Sequence, residues 1–151
     1  MNAVGSFIAV FFIDKLGRRF IILRTLPGVL ISCVTIALSM YLSLYTENMQ
    51  TIGNFLALLG LLMYLGFFSI GFSSTPWSIN TEIYPTHLIG TATSLSTATN
   101  WLSNFVVSSV FLSIMKTDLG KVLAFVTLAI FTTICIIFVY IFVPETKGKS
   151  I

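Results

Sequence analysis

Long uncharged runs separated by short polar turns dominate this sequence. A membrane-spanning helix needs about 20 mainly apolar residues, and the stretches 20–44, 53–81, 88–115 and 121–143 meet that length. A further apolar stretch, 1–14, is too short to cross comfortably and reads as a span short of its beginning. Charge is nearly absent inside these runs: Arg24 lies near the start of 20–44, while Asp14 and Lys121 mark edges. The pattern predicts an all-α, polytopic membrane bundle of about five helices, followed by a polar tail over 144–151.

Composition sharpens this. The 151 residues are 56% hydrophobic and 9% charged, against about 25% charge in a soluble domain. Mean hydropathy is +1.00, so the bulk solvent of this chain is expected to be a lipid bilayer. The net charge of +3 is scattered, with no basic stripe interleaved with aromatics, which argues against nucleic acid as a partner. Cys33 and Cys135 lie within apolar runs and read as small buried hydrophobes. No metal-ligand spacing or disulfide framework is present, and the N-terminus lacks the basic region of a secretory signal.

The basic residues orient the spans. Lys15, Arg18, Arg19 and Arg24 flank one turn and Lys147 and Lys149 lie in the tail, whereas Lys116 and Lys121 fall on the other side of alternating spans. The positive-inside rule then places the turn at 14–19, the turn at 85–87 and the C-terminus in the cytoplasm.

Polar residues within the spans mark candidate chemistry. The stretch 91–113 is rich in serine and threonine, which are common at close helix contacts in membranes. Asn100 and Asn104 stand out, four apart on one helical face beside Trp101. Two bare amides in hydrocarbon are costly, so they either bond across a helix interface or face a watery cavity. Pro76 removes a backbone donor in a region with Gly66, Gly71, Ser73, Ser74 and Thr75, so this span is expected to bend or break. Broken membrane helices are tolerated where they line a cavity. Trp77, just beyond, offers a flat face suited to the C–H surface of a sugar or cyclitol ring. Glu82 then sits where Arg18 or Arg19 can reach it, worth ~0–1 kcal/mol if wet and more if buried. A pair made in one conformation only can latch a gate.

These segments together resemble the sugar porter family of the major facilitator superfamily. Asp14-Lys-Leu-Gly17-Arg18-Arg19 fits its D-x-x-G-R-R signature, Pro76-Trp77 with Glu82 its P-W-x-x-x-x-E segment, Asn100-Trp101-Leu-Ser-Asn104-Phe105 its N-W-x-x-N-F segment, and Pro144-Glu145-Thr-Lys-Gly148 its P-E-T-K-G. The wording Ile79-Asn-Thr-Glu-Ile-Tyr-Pro85 leans toward the proton-linked inositol transporters and other sugar porters over the best-known glucose facilitators. The resemblance covers essentially the whole chain and implies spans eight to twelve of a twelve-span carrier, a partial major facilitator fold.

It further implies a plasma-membrane location and transport of a hexose or inositol by alternating access. Asn2, Trp77, Asn100, Trp101 and Asn104 would contact substrate. Asp14, Arg18, Arg19, Glu82 and Glu145 would form the cytoplasmic salt-bridge cluster, with Pro76 and Gly71 as the gate hinge. No cofactor or metal is expected, and any proton-coupling acid would belong to the N-terminal half. The expected partners are a small sugar or polyol, the lipid bilayer, and that N-terminal half or a full-length relative. The alternative is a truncated, non-transporting membrane protein that associates with such a relative.

Three departures from the family pattern bear on mechanism. Gly71-Phe-Ser-Ser-Thr-Pro76 replaces a run with more glycine and proline, which is expected to stiffen the gate. Ser69 stands where many facilitators carry a glutamate. Pro85-Thr-His87-Leu-Ile89-Gly90 lacks the two arginines of the cytoplasmic P-x-R-x-R-G segment, so the latch is expected to be weaker unless His87 substitutes. No enzyme is expected: Gly148-Lys149-Ser150 lacks the leading glycine and following helix of a phosphate-binding loop.

Overall fold

The computed structural model describes residues 17–46, 49–72 and 75–144, and among them every regular element is helical. Helix α1 covers Arg18–Tyr45, α2 Gln50–Gly71, α3 Thr75–Glu82, α4 Ile89–Ile114 and α5 Asp118–Phe142. The expected short first span, Asn2, Asp14, Ser73, Ser74 and Glu145 lie outside the described residues.

Three segments are long and apolar enough to cross a membrane: Arg18–Tyr45, Gln50–Glu82 and Asp118–Phe142. Helix α4 does not join them, although its 26 residues suffice in length. Its serines, threonines and asparagines make it less hydrophobic than α2 and α5. The helix carries those hydroxyls largely by satisfying them itself. Thr93, Thr97, Ser109 and Ser113 each donate to the carbonyl one turn back, at 2.7 to 3.0 Å. Such back-bonding gives each of these hydroxyls a partner within its own helix.

Helix α1 is the centre of the bundle, and α2 and α5 run antiparallel to it on two sides. Against α2 the contact is made by small residues. Gly60 lies over Ile36 and Ser32, Gly53 over Ser39 and Ser43, and Gly71 over Thr25. Without a hydrophobic force between apolar helices in lipid, close approach of backbones is what association depends on. On the other side, Ile22 and Leu26 pack with Val139, and Val29 and Cys33 with Ala129. Cys33 is buried and Cys135 half-buried, both as free thiols in this apolar contact. Many large side chains remain exposed, among them Phe55, Leu112 and Tyr140. Surface this apolar is suited to acyl chains.

Two helix starts show local sequence at work. Gly17, which precedes α1, has φ 93°, a region that side-chain-bearing residues rarely adopt, which accounts for glycine immediately before the helix. At α5, the Thr117 hydroxyl accepts from the Gly120 N–H at 3.1 Å, and Asp118 adds a carboxylate in the first turn. Thr117→Ala is expected to lower stability by about 1 kcal/mol. A thermal melt followed by helical circular dichroism checks this, and an unchanged midpoint would show that the cap is replaced by water.

Candidate functional site

Helix α3 is the element that assembles the site. Pro76 occupies its second position, where a missing N–H costs no helical bond and the fixed φ suits the first turn. Three residues apart, Trp77 and Asn80 share one face of this short helix. Ile79 faces the other way and packs on Ile22, Leu26 and Val139, which anchors α3 to α1 and α5.

The exposed face of α3 borders an open cleft of about 420 Å³. Pro76, Trp77 and Asn80 line one side, Ser96 and Asn100 of α4 the other, and Phe68 of α2 with Phe72, which caps its end, close the inner wall. Tyr64, Phe68 and Phe72 form a stacked ladder down α2, with centroids 5.6 and 5.8 Å apart. The result is an aromatic back wall with two carboxamides and an indole in front of it. This is the composition of a small-molecule site: apolar surface with a few placed polar groups.

Of the residues expected to touch substrate, Trp77 and Asn100 meet in this cleft. Trp101 and Asn104 do not line it. Trp101 follows Asn100 by one residue, about 100° around the helix, and is 71% exposed. Asn104 lies one turn beyond Asn100, and its Nδ2 donates to Asn100 Oδ1 at 2.7 Å and to Asn100 O at 3.0 Å. The two amides therefore pair with each other along the helix, an arrangement that i,i+4 spacing permits. Asn80 and Ser96 are cleft residues that sequence reasoning passed over. Asn80 could have been found from its i+3 spacing to Trp77.

At the far end of α3, Glu82 receives Arg18. Arg18 Nε donates to Glu82 Oε1 at 3.1 Å, and Nη2 lies 3.0 Å from the same oxygen. The side chains are 17% and 31% exposed, between the wet pairs worth ~0–1 kcal/mol and the fully buried pairs whose disruption costs ~3–5 kcal/mol. Arg19 turns instead to α5, where Nη2 donates to the Tyr140 carbonyl at 2.6 Å and the guanidinium lies 5.8 Å from the Tyr140 ring centre. The start of α1 and the ends of α3 and α5 thus share one end of the bundle. His87 is exposed in the turn after α3, and among the described contacts it makes no ion pair with Glu82. Gly71 closes α2 in ordinary helical geometry, since Gly17 alone has positive φ among the described residues. What the structure requires of Gly71 is room for Thr25.

An antiparallel helical bundle with an apolar outer surface marks an integral membrane protein. The whole chain, residues 1–151, matches the Sugar (and other) transporter family, and it belongs to that family. It is 38% identical over 155 residues to a facilitated trehalose transporter, Tret1, of Bombyx mori, covering 100% of this chain and 30% of that protein. Sugar transporter ERD6-like 8 of Arabidopsis thaliana is likewise 38% identical, over 100% of this chain and 31% of its own length. A probable inositol transporter 2 of Arabidopsis thaliana is 38% identical over 69% of this chain and 18% of its own length. Among solved structures, the inward-open xylose transporter XylE of E. coli superposes with a TM-score of 0.81 at 26% identity, covering 99% of this chain and 31% of XylE. The fold is thus a part of the major facilitator fold. The chain spans about 30% of the length of the trehalose and ERD6-like transporters and 18% of that of the probable inositol transporter.

Proposed function

We propose that this chain supplies the C-terminal wall of a carrier that moves a sugar or polyol, a hexose or an inositol, across the plasma membrane by alternating access. Trp77 stacks on the C–H face of the ring, and Asn100 hydrogen-bonds its hydroxyls. Arg18 and Glu82 hold α3 against α1 at the cytoplasmic end, where the C-terminus also lies. No cofactor takes part, and proton coupling, where it occurs, belongs to the part of the carrier outside these spans. The observation that carries the reading is the meeting of Trp77 and Asn100 in one open cleft against an aromatic wall. The names of the relatives, trehalose, inositol and xylose transporters among them, support the substrate class.

The chain has two tryptophans, Trp77 and Trp101, which makes the reading directly testable. With the full chain in lipid nanodiscs, D-glucose or myo-inositol is expected to change tryptophan emission saturably, and Trp77→Phe is expected to remove that response. A response that survives Trp77→Phe would place the ligand elsewhere.

A second reading, a non-transporting protein that associates with a full-length relative, draws on α4, which has no buried residue. Such a helix has faces left for lipid or for another protein. Co-expression separates the readings: association without transport lowers uptake by the relative, whereas a carrier wall adds to uptake or leaves it unchanged.

A further inference from the structure

We propose that Asn80 is a specificity-determining contact of the cleft, held by Ser96 so that its amide N–H groups grip an acceptor oxygen of the ligand. This rests on the cleft being a sugar or polyol site, as above, and adds to it which atoms of the ligand are read.

The hydroxyls of α4 show why the Ser96 contact is informative. Serines and threonines along this helix habitually donate to their own helix one turn back. Ser96 departs from that pattern and reaches across to α3, donating to Asn80 Oδ1 at 3.1 Å. A carboxamide is planar, with its oxygen and its NH2 on opposite edges. Occupying the oxygen from the Ser96 side fixes the rotation of the group and leaves the NH2 edge to the cleft that Asn80 lines. Asn100 shows the same arrangement, its Oδ1 accepting from Asn104 Nδ2 at 2.7 Å. Among the described residues, nothing accepts from Nδ2 of either asparagine.

Two helices therefore present their carboxamides alike: oxygen engaged by a neighbour, nitrogen available. The Trp77 indole N–H adds a third donor beside them. A cleft equipped with donors selects ligands by acceptor oxygens. For a ring polyol these are hydroxyl or ring oxygens used as acceptors rather than hydroxyls used as donors. Leaving a built donor without its partner costs more than the bond itself contributes, which is why such sites discriminate strongly.

Deoxy and deoxyfluoro analogues separate the two roles, because fluorine keeps an acceptor and removes the donor. The experiment uses the full chain in nanodiscs, with Trp77 emission as the readout and the deoxy and deoxyfluoro series of D-glucose as probes. At one ring position the deoxyfluoro sugar is expected to bind within about threefold of D-glucose and the deoxy sugar about tenfold more weakly than the deoxyfluoro sugar, a gap of about 1.4 kcal/mol. Asn80→Ala is expected to close that gap at that position. Asn80→Asp, nearly isosteric but without donors, should close it too. Ser96→Ala should narrow the gap, weakening D-glucose and the deoxyfluoro sugar a few-fold while changing the deoxy sugar little, as a residue that positions Asn80 would. Unchanged helical circular dichroism verifies that each variant is folded, and the analogue series on the unmutated chain stands independently of any variant. A gap that persists in Asn80→Ala, or equal binding of the two analogue series at every position, overturns the proposal while leaving the sugar site intact. Failure of every sugar to change Trp77 emission overturns the sugar site itself, and the role of Asn80 with it.

Discussion

Gly71→Leu is expected to destabilise the bundle by about 2–3 kcal/mol, the upper range for forcing extra volume into a closed contact. A Cβ at Gly71 would overlap the Thr25 side chain. Thr25 has nowhere to go. It is β-branched and stiff at χ1, buried, and its hydroxyl donates to Ile21 O at 2.9 Å and Ile22 O at 3.2 Å. The damage should reach the site as well, because Gly71 ends α2 immediately before the aromatic Phe72 of the cleft wall. Gly66→Leu is the matched control: a Cβ there meets nothing within 4 Å, and removing a mid-helix glycine is favourable by up to about 1 kcal/mol. Thermal unfolding in detergent distinguishes them. Equal midpoints for the two variants would show that α1 and α2 do not meet as described. The double change Thr25→Ala with Gly71→Ala is expected to be less harmful than the sum of its parts, since one methyl moves into the space another vacates.

The second large effect concerns Arg18 and Glu82. Arg18→Ala takes the guanidinium from a carboxylate that is two-thirds covered, and Glu82→Ala takes the carboxylate from a guanidinium that is covered further. Each single change is expected to loosen α3 from α1 at a cost of about 1–3 kcal/mol, below the ~3–5 kcal/mol of a fully buried pair. Both residues lie within the same bundle, so the pair acts as a state-dependent latch only if α3 moves against α1. A double-mutant cycle gives the coupling directly, and a value above about 1 kcal/mol supports a partly desolvated pair. The exchange Arg18→Glu with Glu82→Arg should recover part of the loss. Coupling within the ~0–1 kcal/mol of wet pairs, and strongly diminished in high salt, would remove the latch from the mechanism.

Tertiary contact also settles which of two neighbouring arginines does what. Arg18 and Arg19 are adjacent in sequence and chemically identical, and either could have met Glu82. On a helix they point about 100° apart, so one faces α3 and the other α5. The rotation of α1 makes the choice, and α1 is rotated by its small and apolar faces. The glycine stripe of α2 takes the side of Thr25, Gly28, Ser32 and Ile36, and Val139 and Ala129 take the other.

The hydrophobic runs were legible because a bilayer imposes one length and one composition on every segment that crosses it. Helix positions, the membrane class and the family signatures all follow from order along the chain. So does Trp77 as the aromatic of the cleft, since it lies beside a proline that only the first turn of a helix accepts easily. What the order of residues left open is everything that depends on rotation about a helix axis. It marked Asn100, Trp101 and Asn104 alike, and only packing turned the first toward α3 and the second away. It passed over Asn80 and Ser96, because a hydrogen bond between residues 16 apart exists only after α3 has been laid against α4. Sequence by itself determined where this chain is helical and which solvent it belongs in. The tertiary structure decided which polar groups face one another, because the energy that orients a helix comes from its neighbours and is absent from the helix alone.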